Sequence, residues 1–327
     1  MLLVDAATVR RLLTPQAAVE AVDLAFRAAA QGSVVQPQRL VMAHGDGRAL
    51  ATMPALVEGL GLGTKVVTIS PDNPRRGAPV HSILVLLMDL EDGSPLALVE
   101  GSRITALRTA AGSALATDAL ALPEASTLAV LGAGVQARAH VECLVRTRPI
   151  RRLRLWSRRR ESAEVFAQEV RATTDLEVSV LDDPDETAAQ ADVVCTTTAS
   201  PTPVLDVSGL RPGAHVNAVG ASFASLCELT PAAVAACAVY VDSVEAARAE
   251  AGDLLNAAAH GCFDLAHVRG ELGEVLVGRC PGRQGTAEIT LFKSVGLAAQ
   301  DVAVASLVVE AARAEGLGLE VSVGAHA

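Results

Sequence analysis

Apolar and polar positions alternate in two different ways along the chain, and the change comes near Pro123. Beyond this proline, short apolar runs of strand length recur, separated by stretches with the helical period. The runs begin with Thr127–Leu131 and continue at 153–156, 177–181, 192–197, 215–219 and 239–241. Strands that alternate with helices are typical of a parallel, doubly wound sheet. We therefore predict an α/β domain of the Rossmann type over 121–299.

The first 120 residues follow a different pattern. Thr14 followed by Pro15 predicts the start of a helix, because Thr caps helices well and Pro suits the first turn. From about 33 to 100, short β-like runs are interrupted by Gly, Pro, Asp and Asn, as in a sheet with turns. An Ala- and Leu-rich stretch from Ile104 to Leu122 then predicts a buried helix. Together these elements predict an α+β domain.

Length and composition narrow the class of protein. A chain of 327 residues exceeds most single cores, which agrees with two domains. Hydrophobic residues at 50% and charged residues at 20% exclude a disordered or collagen-like chain. No apolar run approaches the ~20 residues of a membrane span, and the N-terminal residues lack the apolar core of a signal peptide. We expect a cytoplasmic protein without a membrane partner.

Charge and cysteine usage exclude further classes. The net charge of −10 and the seven aromatic residues argue against nucleic acid as a partner. The six cysteines show neither CxxC spacing nor a nearby second ligand, so we expect no metal site and a reducing compartment. Of 27 basic residues only Lys65 and Lys293 are lysines. Because every other basic residue of the chain is an arginine, Lys65 and Lys293 are candidates for a specific role.

The motif Gly132-Ala133-Gly134-Val135-Gln136-Ala137 fits G-x-G-x-x-A between a predicted strand and a predicted helix. Gly132 permits the tight turn, and Gly134 lets the backbone approach a pyrophosphate. The helix N-terminus that follows attracts phosphates. A Gly-rich turn without a ligand is the alternative. We expect Gly132, Gly134, Val135 and Gln136 to bind a dinucleotide, with Thr197 and Val219 at the ends of two further strands.

The residues at the end of the second strand of such a domain determine whether NAD or NADP binds, and an Asp or Glu there favours NAD. This chain has Ser157, Arg158 and Arg159 there, which can bind a 2′-phosphate. The alternative is a solvated basic run, since Arg151, Arg152 and Arg154 lie close by in sequence. We expect NADPH rather than NADH.

Three cations outside the dinucleotide-binding domain stand in apolar contexts. Arg39 follows an extended Gln-Pro-Gln, Lys65 lies in the run GTKVVTI, and Arg108 lies in an otherwise apolar helix. A cation among apolar residues is costly unless an anion meets it. A substrate carboxylate would be such an anion, and an internal Asp or Glu is the alternative partner for each.

The chain resembles the ornithine cyclodeaminase/mu-crystallin family. The resemblance is carried by PQR (37–39), TKVV (64–67), ITALRTAAGSA (104–114), VLGAGVQARAH (130–140), VNAVGAS (216–222) and ITLFKSVGLAAQD (289–301). It implies that Arg39, Lys65 and Arg108 bind the carboxylate of an amino or imino acid, and that Lys293 lies near the nicotinamide. It also implies a homodimer, with a substrate-binding and dimerisation domain at 1–120 that residues 300–327 rejoin.

One departure from the family pattern separates its branches. Cyclodeaminases of the family carry an Asp where this chain has Ser222, and a Ser hydroxyl is no comparable base at neutral pH. The run NAVGAS and the pair His81-Ser82 look more like the mu-crystallin branch, which reduces cyclic ketimines. We count Lys65, Arg108, His81 and Ser222 as candidate catalytic residues, and Glu228 as a weaker one.

The resemblance thus favours an NADPH-dependent reductase of cyclic imino acids such as pyrroline-2-carboxylate or piperideine-2-carboxylate. A preformed imine needs little acid–base help, so positioning and charge would suffice. The alternatives are an ornithine or lysine cyclodeaminase, an alanine dehydrogenase-like enzyme, and an enzyme that condenses two amino acids reductively. A non-catalytic protein that binds a cofactor or small ligand, as mu-crystallin can, is an alternative of another class.

Overall fold

The computed structural model describes residues 1–323 and divides the chain into two compact units. Unit 1 comprises Met1–Arg108 and the chain from Leu297, and unit 2 comprises Thr109–Gly296. The sequence pattern placed the boundary at residue 120, whereas the division falls after Arg108, inside a helix. A periodic pattern shows where a helix ends but not which neighbours each of its turns packs against. Residues 324–327 of the predicted returning segment lie outside the described residues.

Unit 1 opens with short helices and antiparallel strands. Its elements before the boundary are β1 (Leu2–Val4), α1 (Ala6–Leu12), α2 (Pro15–Ala30), β2 (Val34–Val35), β3 (Leu40–Ala43), β4 (Ala49–Val57), β5 (Gly61–Ile69), β6 (His81–Met88), β7 (Pro95–Glu100) and α3 (Ser102–Leu120), which crosses the boundary. The Thr14 hydroxyl caps α2 by accepting from the Ala17 amide at 3.2 Å, and Pro15 occupies the first turn. The local signal for this helix start is therefore realised in the fold.

Unit 2 is an alternation of strands and helices. Its elements are β8 (Thr127–Leu131), α4 (Val135–Thr147), β9 (Arg152–Trp156), α5 (Arg160–Thr173), β10 (Glu177–Val180), α6 (Pro184–Ala188), β11 (Val193–Thr196), β12 (His215–Ala218), α7 (Pro231–Ala235), β13 (Ala238–Val241), α8 (Val244–Glu250), α9 (Gly252–Ala259), β14 (Gly270–Glu271), α10 (Leu272–Leu276) and β15 (Thr290–Lys293). All its strand pairs are parallel, in the order β10-β9-β8-β11-β12-β15-β13-β14. The predicted parallel, doubly wound sheet is confirmed.

The strand order reverses direction between β8 and β11. In open α/β sheets, ligands bind outside the carboxyl ends of the strands at such a switch point. The Gly-rich motif lies at that end of β8. One central strand was not predicted: β15 inserts between β12 and β13 and buries all four of its residues.

The chain returns to unit 1 as α11 (Ala298–Ala314) and β16 (Leu319–Glu320). The sheet of unit 1 has the order β16-β1-β7-β6-β5-β4-β2, and β3 pairs with β4. Helices α2 and α11 pack together, and α11 contacts β4, where every second residue from Ala51 to Val57 is buried, and β5, where Gly63 and Lys65 are buried. Apolar side chains remain exposed elsewhere on this sheet, among them Leu40, Met42 and Leu84. Within residues 1–323, no helix combines the length and apolarity needed to cross a bilayer.

Candidate active site

The Gly-rich turn after β8 is held by the ends of its two neighbouring strands. The Gly132 amide donates to the Trp156 carbonyl at 2.8 Å, and Thr197 donates to the Leu131 carbonyl from both its amide and its hydroxyl. Gly132 has φ +129°, and a Cβ there would lie 2.5 Å from the Thr197 hydroxyl oxygen. Only glycine fits both this backbone conformation and the space available, so the tight turn depends on Gly132.

The first turn of α4 has the features that a pyrophosphate requires. Gly134 precedes the helix without a side-chain cap, and a Cβ there would meet nothing within 4 Å. Val135 is 69% exposed, whereas Ala137 is fully buried against the sheet. The buried Gln136 amide oxygen finds no hydrogen-bond donor within residues 1–323. Accessible helix N–H groups and an unsatisfied polar atom fit a dinucleotide phosphate at this place.

A buried histidine, which sequence reasoning missed, supports this turn. His140 lies between the Ser113 hydroxyl, 2.9 Å from its Nε2, and the Gln136 carbonyl, 2.7 Å from its Nδ1. The carbonyl can only accept, so we assign the proton to Nδ1 and let Nε2 accept from Ser113. Burial lowers the pKa of His140 to about 4, which keeps the ring neutral. The pair links α3 to the start of α4 without adding charge.

The basic residues around the end of β9 divide into two groups. Arg152, Arg154 and Arg160 bond to Thr127, to the carbonyls of Glu186 and Thr187, and to Asp182 and Glu164, respectively. The exposed guanidinium groups of Arg158 and Arg159 have no bond or ion pair with another residue in 1–323, and Ser157 beside them is half-buried. Two cations without protein partners therefore lie at the strand end next to the Gly-rich turn.

Unit 1 contains a buried cluster, which we call the cationic cluster: Lys65, Arg108 and Asp301. The Lys65 ammonium lies 2.6 Å from Asp301 Oδ2, and Arg108 Nε lies 3.1 Å from Oδ1. Arg108 also donates to the Gln300 side chain at 3.1 Å. Lys65 is 3% exposed, Arg108 5% and Asp301 0%. An internal acid, the alternative to a substrate carboxylate, is therefore present as Asp301. Its single carboxylate, however, pairs with both Lys65 and Arg108.

The pKa values in the cationic cluster follow from burial and this imbalance. Burial lowers the pKa of Lys65 to about 7, together with the positive charges of Arg108 and the half-buried Arg39 and against the attraction of Asp301. Burial alone would raise the pKa of Asp301, but Arg108 and Lys65 outweigh it and lower that pKa below its ordinary value. Asp301 therefore stays ionised, while Lys65 gains or loses its proton near neutral pH.

A second buried cluster, the acidic cluster, lies in unit 2: Glu228, Asp253 and Lys293. All three are 0% exposed. The Lys293 ammonium lies 2.8 Å from Asp253 Oδ2, although the two atoms are not aligned as a hydrogen bond. Lys293 is thus paired inside the protein, and its side chain is fully buried. Its position follows from β15, the strand that the sequence pattern did not reveal.

Glu228 ties together the loops that follow β11 and β12. Its carboxylate accepts from the Thr196 and Thr198 hydroxyls, both at 2.8 Å, and from the amides of Thr198, Gly220 and Ala221. Burial and Asp253 raise its pKa, whereas Lys293 and the Thr198 donors oppose that rise. Every one of these groups donates, which only an ionised carboxylate can satisfy fully. Glu228 is therefore a structural acid and not a free base.

The remaining candidates, His81, Ser222 and Val219, belong to neither cluster. His81 begins β6 and is exposed, yet partial burial of its ring lowers its pKa below the ordinary value. Ser222 is half-buried in the loop after β12, and no described residue bonds to its hydroxyl. Val219 is buried at the end of β12, where its amide donates to the Thr196 carbonyl. Within residues 1–323, Ser222 thus has no acid or histidine to activate it.

Comparison with known proteins places these features in a family. Residues 1–316 match the model of the ornithine cyclodeaminase/mu-crystallin family. A Delta(1)-pyrroline-2-carboxylate reductase of Bacillus cereus is 39% identical over 322 residues, covering 97% of this chain and 98% of that protein. The ketimine reductase mu-crystallin of Mus musculus is 39% identical over 292 residues, 89% of each chain.

A solved structure agrees with this assignment. The Delta(1)-pyrroline-2-carboxylate reductase of Thermococcus litoralis, in complex with NADH and L-proline, superposes with a TM-score of 0.95. It is 33% identical to this chain, and the match covers 98% of this chain and 100% of that one. The similarity therefore extends over both units.

Proposed function

The chain belongs to the ornithine cyclodeaminase/mu-crystallin family, and on that premise we propose that it reduces cyclic imino acids with a nicotinamide dinucleotide. Pyrroline-2-carboxylate and piperideine-2-carboxylate, which would give proline and pipecolate, are the proposed substrates. The observation that carries the proposal is the cationic cluster, in which two buried cations share one carboxylate. A substrate carboxylate is the anion that would balance the second cation. The relatives named reductases of such imines support this choice.

The reaction adds a hydride to the imine carbon and a proton to the imine nitrogen. A bound reduced nicotinamide supplies the hydride. Lys65, Arg108 and Arg39 hold the substrate carboxylate, which fixes the ring and stabilises its negative charge. His81 is neutral near pH 7, and a neutral imidazole is a weak acid, so its proposed role is to position a water that delivers the proton. Charge and position do most of the work.

The surroundings of Ser222 favour the reductase over the cyclodeaminase. Oxidation of an amino acid requires a base that removes a proton from the ammonium group. The Ser222 hydroxyl has no activating partner within residues 1–323, and Glu228 is occupied by five donors. Reduction of a preformed imine omits that deprotonation. We therefore expect little or no ammonia release from ornithine.

We propose NADPH as the preferred cofactor. Within residues 1–323 the side chains of Arg158 and Arg159 lack protein partners, whereas those of Arg152, Arg154 and Arg160 are bonded within the fold. With Ser157 they provide two cations and a hydroxyl at the strand end where such domains read the 2′ position. Thr197, Val219 and the Gly-rich turn complete the proposed cofactor site. NADH preference in the wild-type protein would contradict this proposal.

We further propose that the protein is a cytoplasmic homodimer. Leu40, Met42 and Val35, which lie on β3 and β2 of the sheet of unit 1, are each more than half exposed. A second copy would cover these apolar side chains. The described cysteines are all free, as in a reducing compartment. Light scattering during gel filtration measures the oligomeric state, and a monomer would refute the dimer.

The deciding experiment incubates the protein with NADPH and each cyclic imine and follows the loss of reduced-cofactor absorbance. Formation of proline or pipecolate confirms the proposal. A parallel reaction with ornithine and oxidised cofactor measures ammonia, and ammonia in quantity would favour the cyclodeaminase instead. Tight cofactor binding without turnover of any imine would favour a non-catalytic binding protein.

A further inference from the structure

Asp301 has no role in the reaction proposed above, yet it holds the centre of the cationic cluster. It lies in the first turn of α11, where the helix dipole stabilises a negative charge. Its two oxygens engage different cations: Oδ2 meets Lys65, and Oδ1 meets Arg108. Because each oxygen of Asp301 contacts one of the two cations, this carboxylate holds Lys65 and Arg108 at a set distance from each other.

Within residues 1–323, Asp301 is the one anion that acts on the Lys65 ammonium. The neighbours of Lys65 across the sheet are Met53 on β4 and Val85 on β6, which carry no charge. The charged groups that act on its ammonium are Asp301 from α11, Arg108 from α3 and Arg39 from the segment before β3. Two of these are cations that disfavour a charged Lys65. Asp301 is therefore the group that keeps Lys65 protonated.

We propose that Asp301 is a positioning residue that keeps Lys65 charged and sets the Lys65–Arg108 pair for one substrate carboxylate. The inference rests on the proposed function and extends it. Without the Asp301 charge, the cations of the cluster would repel each other in a buried site. Lys65 would then lose its proton at a lower pH, and one of the three cations proposed to bind the substrate carboxylate would lose its charge.

The sign of the pH effect follows directly. Lys65 is charged below its pKa, so kcat/KM for the imine falls as the pH rises through that value, which is about 7 in the free protein. In Asp301→Asn the pKa of Lys65 is lower, and the fall begins at lower pH. Each unit of lowering costs about tenfold in the charged fraction above the pKa. The titration of the imine itself is common to all variants and cancels in the comparison.

The test compares wild type, Asp301→Asn, Lys65→Arg and the double variant between about pH 6 and 9 with saturating NADPH. We expect Asp301→Asn to lose at least about tenfold in kcat/KM at the alkaline end and to recover towards the acidic end. Lys65→Arg keeps a charge that does not titrate, so the part of the fall that is due to Lys65 should disappear with or without Asp301→Asn, and only the part due to the imine should remain. Quenching of the single tryptophan, Trp156, by NADPH checks that cofactor binding is retained.

A uniform loss at every pH in Asp301→Asn would overturn the proposal and leave Asp301 a purely structural acid. Should Asp301→Asn fail to fold, the test rests on Lys65→Arg. If kcat/KM in this variant fell with rising pH as it does in the wild type, the role of Lys65 would be refuted. Failure of the proposed function is a separate result, namely a wild-type protein that reduces no cyclic imine. The pH dependence of pyrrole-2-carboxylate binding, measured by calorimetry, then still tests Asp301, because this planar carboxylate accepts no hydride. Binding that weakens at the same pH in wild type and Asp301→Asn would overturn the proposal.

Discussion

The two buried charge clusters have opposite imbalances. The cationic cluster of unit 1 has two cations and one carboxylate, whereas the acidic cluster of unit 2 has two carboxylates and one cation. In the acidic cluster the surplus negative charge is met within the fold, because loop amides and threonine hydroxyls donate to Glu228. The amides of Glu228 and Leu229 likewise donate to Asp253.

The surplus positive charge of the cationic cluster has no such supply of anions. Among the described residues, Lys65 bonds through its ammonium to Asp301 alone. The backbone N–H groups of a nearby loop can donate hydrogen bonds to a buried carboxylate and so stabilise its charge. A buried cation instead needs an anion of comparable charge. The contrast therefore separates a charge network that is satisfied within the fold from a cluster with a surplus cation, which we propose a substrate carboxylate balances.

The largest effect is expected from breaking the acidic cluster. Lys293→Met leaves the Asp253 carboxylate buried without its cation, which should cost about 3–5 kcal/mol of unfolding free energy. Urea unfolding measures the loss. The double variant Lys293→Met with Asp253→Asn removes both charges and should be less destabilised than Lys293→Met alone. Equal stability of wild type and Lys293→Met would mean that the acidic cluster contributes nothing to the fold.

The next effect concerns the cationic cluster and should appear in activity. Arg108→Leu removes a charge-assisted contact to the substrate carboxylate, which should cost ~2–4 kcal/mol, or roughly 30- to 1000-fold in kcat/KM. NADPH binding should remain, as judged from Trp156 fluorescence. Arg11→Leu, which changes an exposed arginine of the same unit, is the matched control. An unchanged kcat/KM in Arg108→Leu would remove this residue from the proposed carboxylate site.

A smaller effect is expected at Arg158 and Arg159 after β9, which, like the cationic cluster, carry more positive charge than the described residues balance. Arg158→Ala with Ser157→Asp should shift preference from NADPH towards NADH by about tenfold or more, since one charged bond is worth ~1.5–3 kcal/mol. The new Asp repels a 2′-phosphate and accepts from a free 2′-OH. KM values for both cofactors give the result. Arg146→Ala, on the neighbouring helix α4, should leave the preference unchanged.

The smallest effect is expected at Ser222, where neither cluster supplies a base. A positioned base contributes about 10²–10⁴-fold to proton removal, and Ser222→Asp supplies one only in part. We expect a trace of ammonia from ornithine in this variant and some loss of imine reduction. Assays of ammonia and of NADPH consumption on the same preparation measure both. Robust proline and ammonia formation by the unmodified protein would contradict the choice of the reductase branch.

Local signals in the sequence were sufficient for much of unit 2. The pattern of β8 and the Gly-x-Gly motif predicted a strand, a tight turn and a helix start, because each depends on residues within one turn of chain. The alternation of strands and helices likewise predicted a parallel sheet. The same reasoning missed β15, whose place between β12 and β13 depends on pairing with strands that lie far away in sequence.

The cations of the candidate site were visible in the sequence, but their partners were not. A lysine or arginine within an apolar run indicates a buried charge, and this singled out Lys65 and Arg108. The acid that meets them, Asp301, follows 236 residues after Lys65 and 193 after Arg108, beyond the reach of any periodic pattern. Periodicity and spacing report short-range geometry, whereas charge balance is a property of packed side chains. The sequence alone therefore determined that buried cations exist, and only the tertiary structure decided that Lys65 and Arg108 share a single carboxylate, because charge balance depends on which side chains pack together.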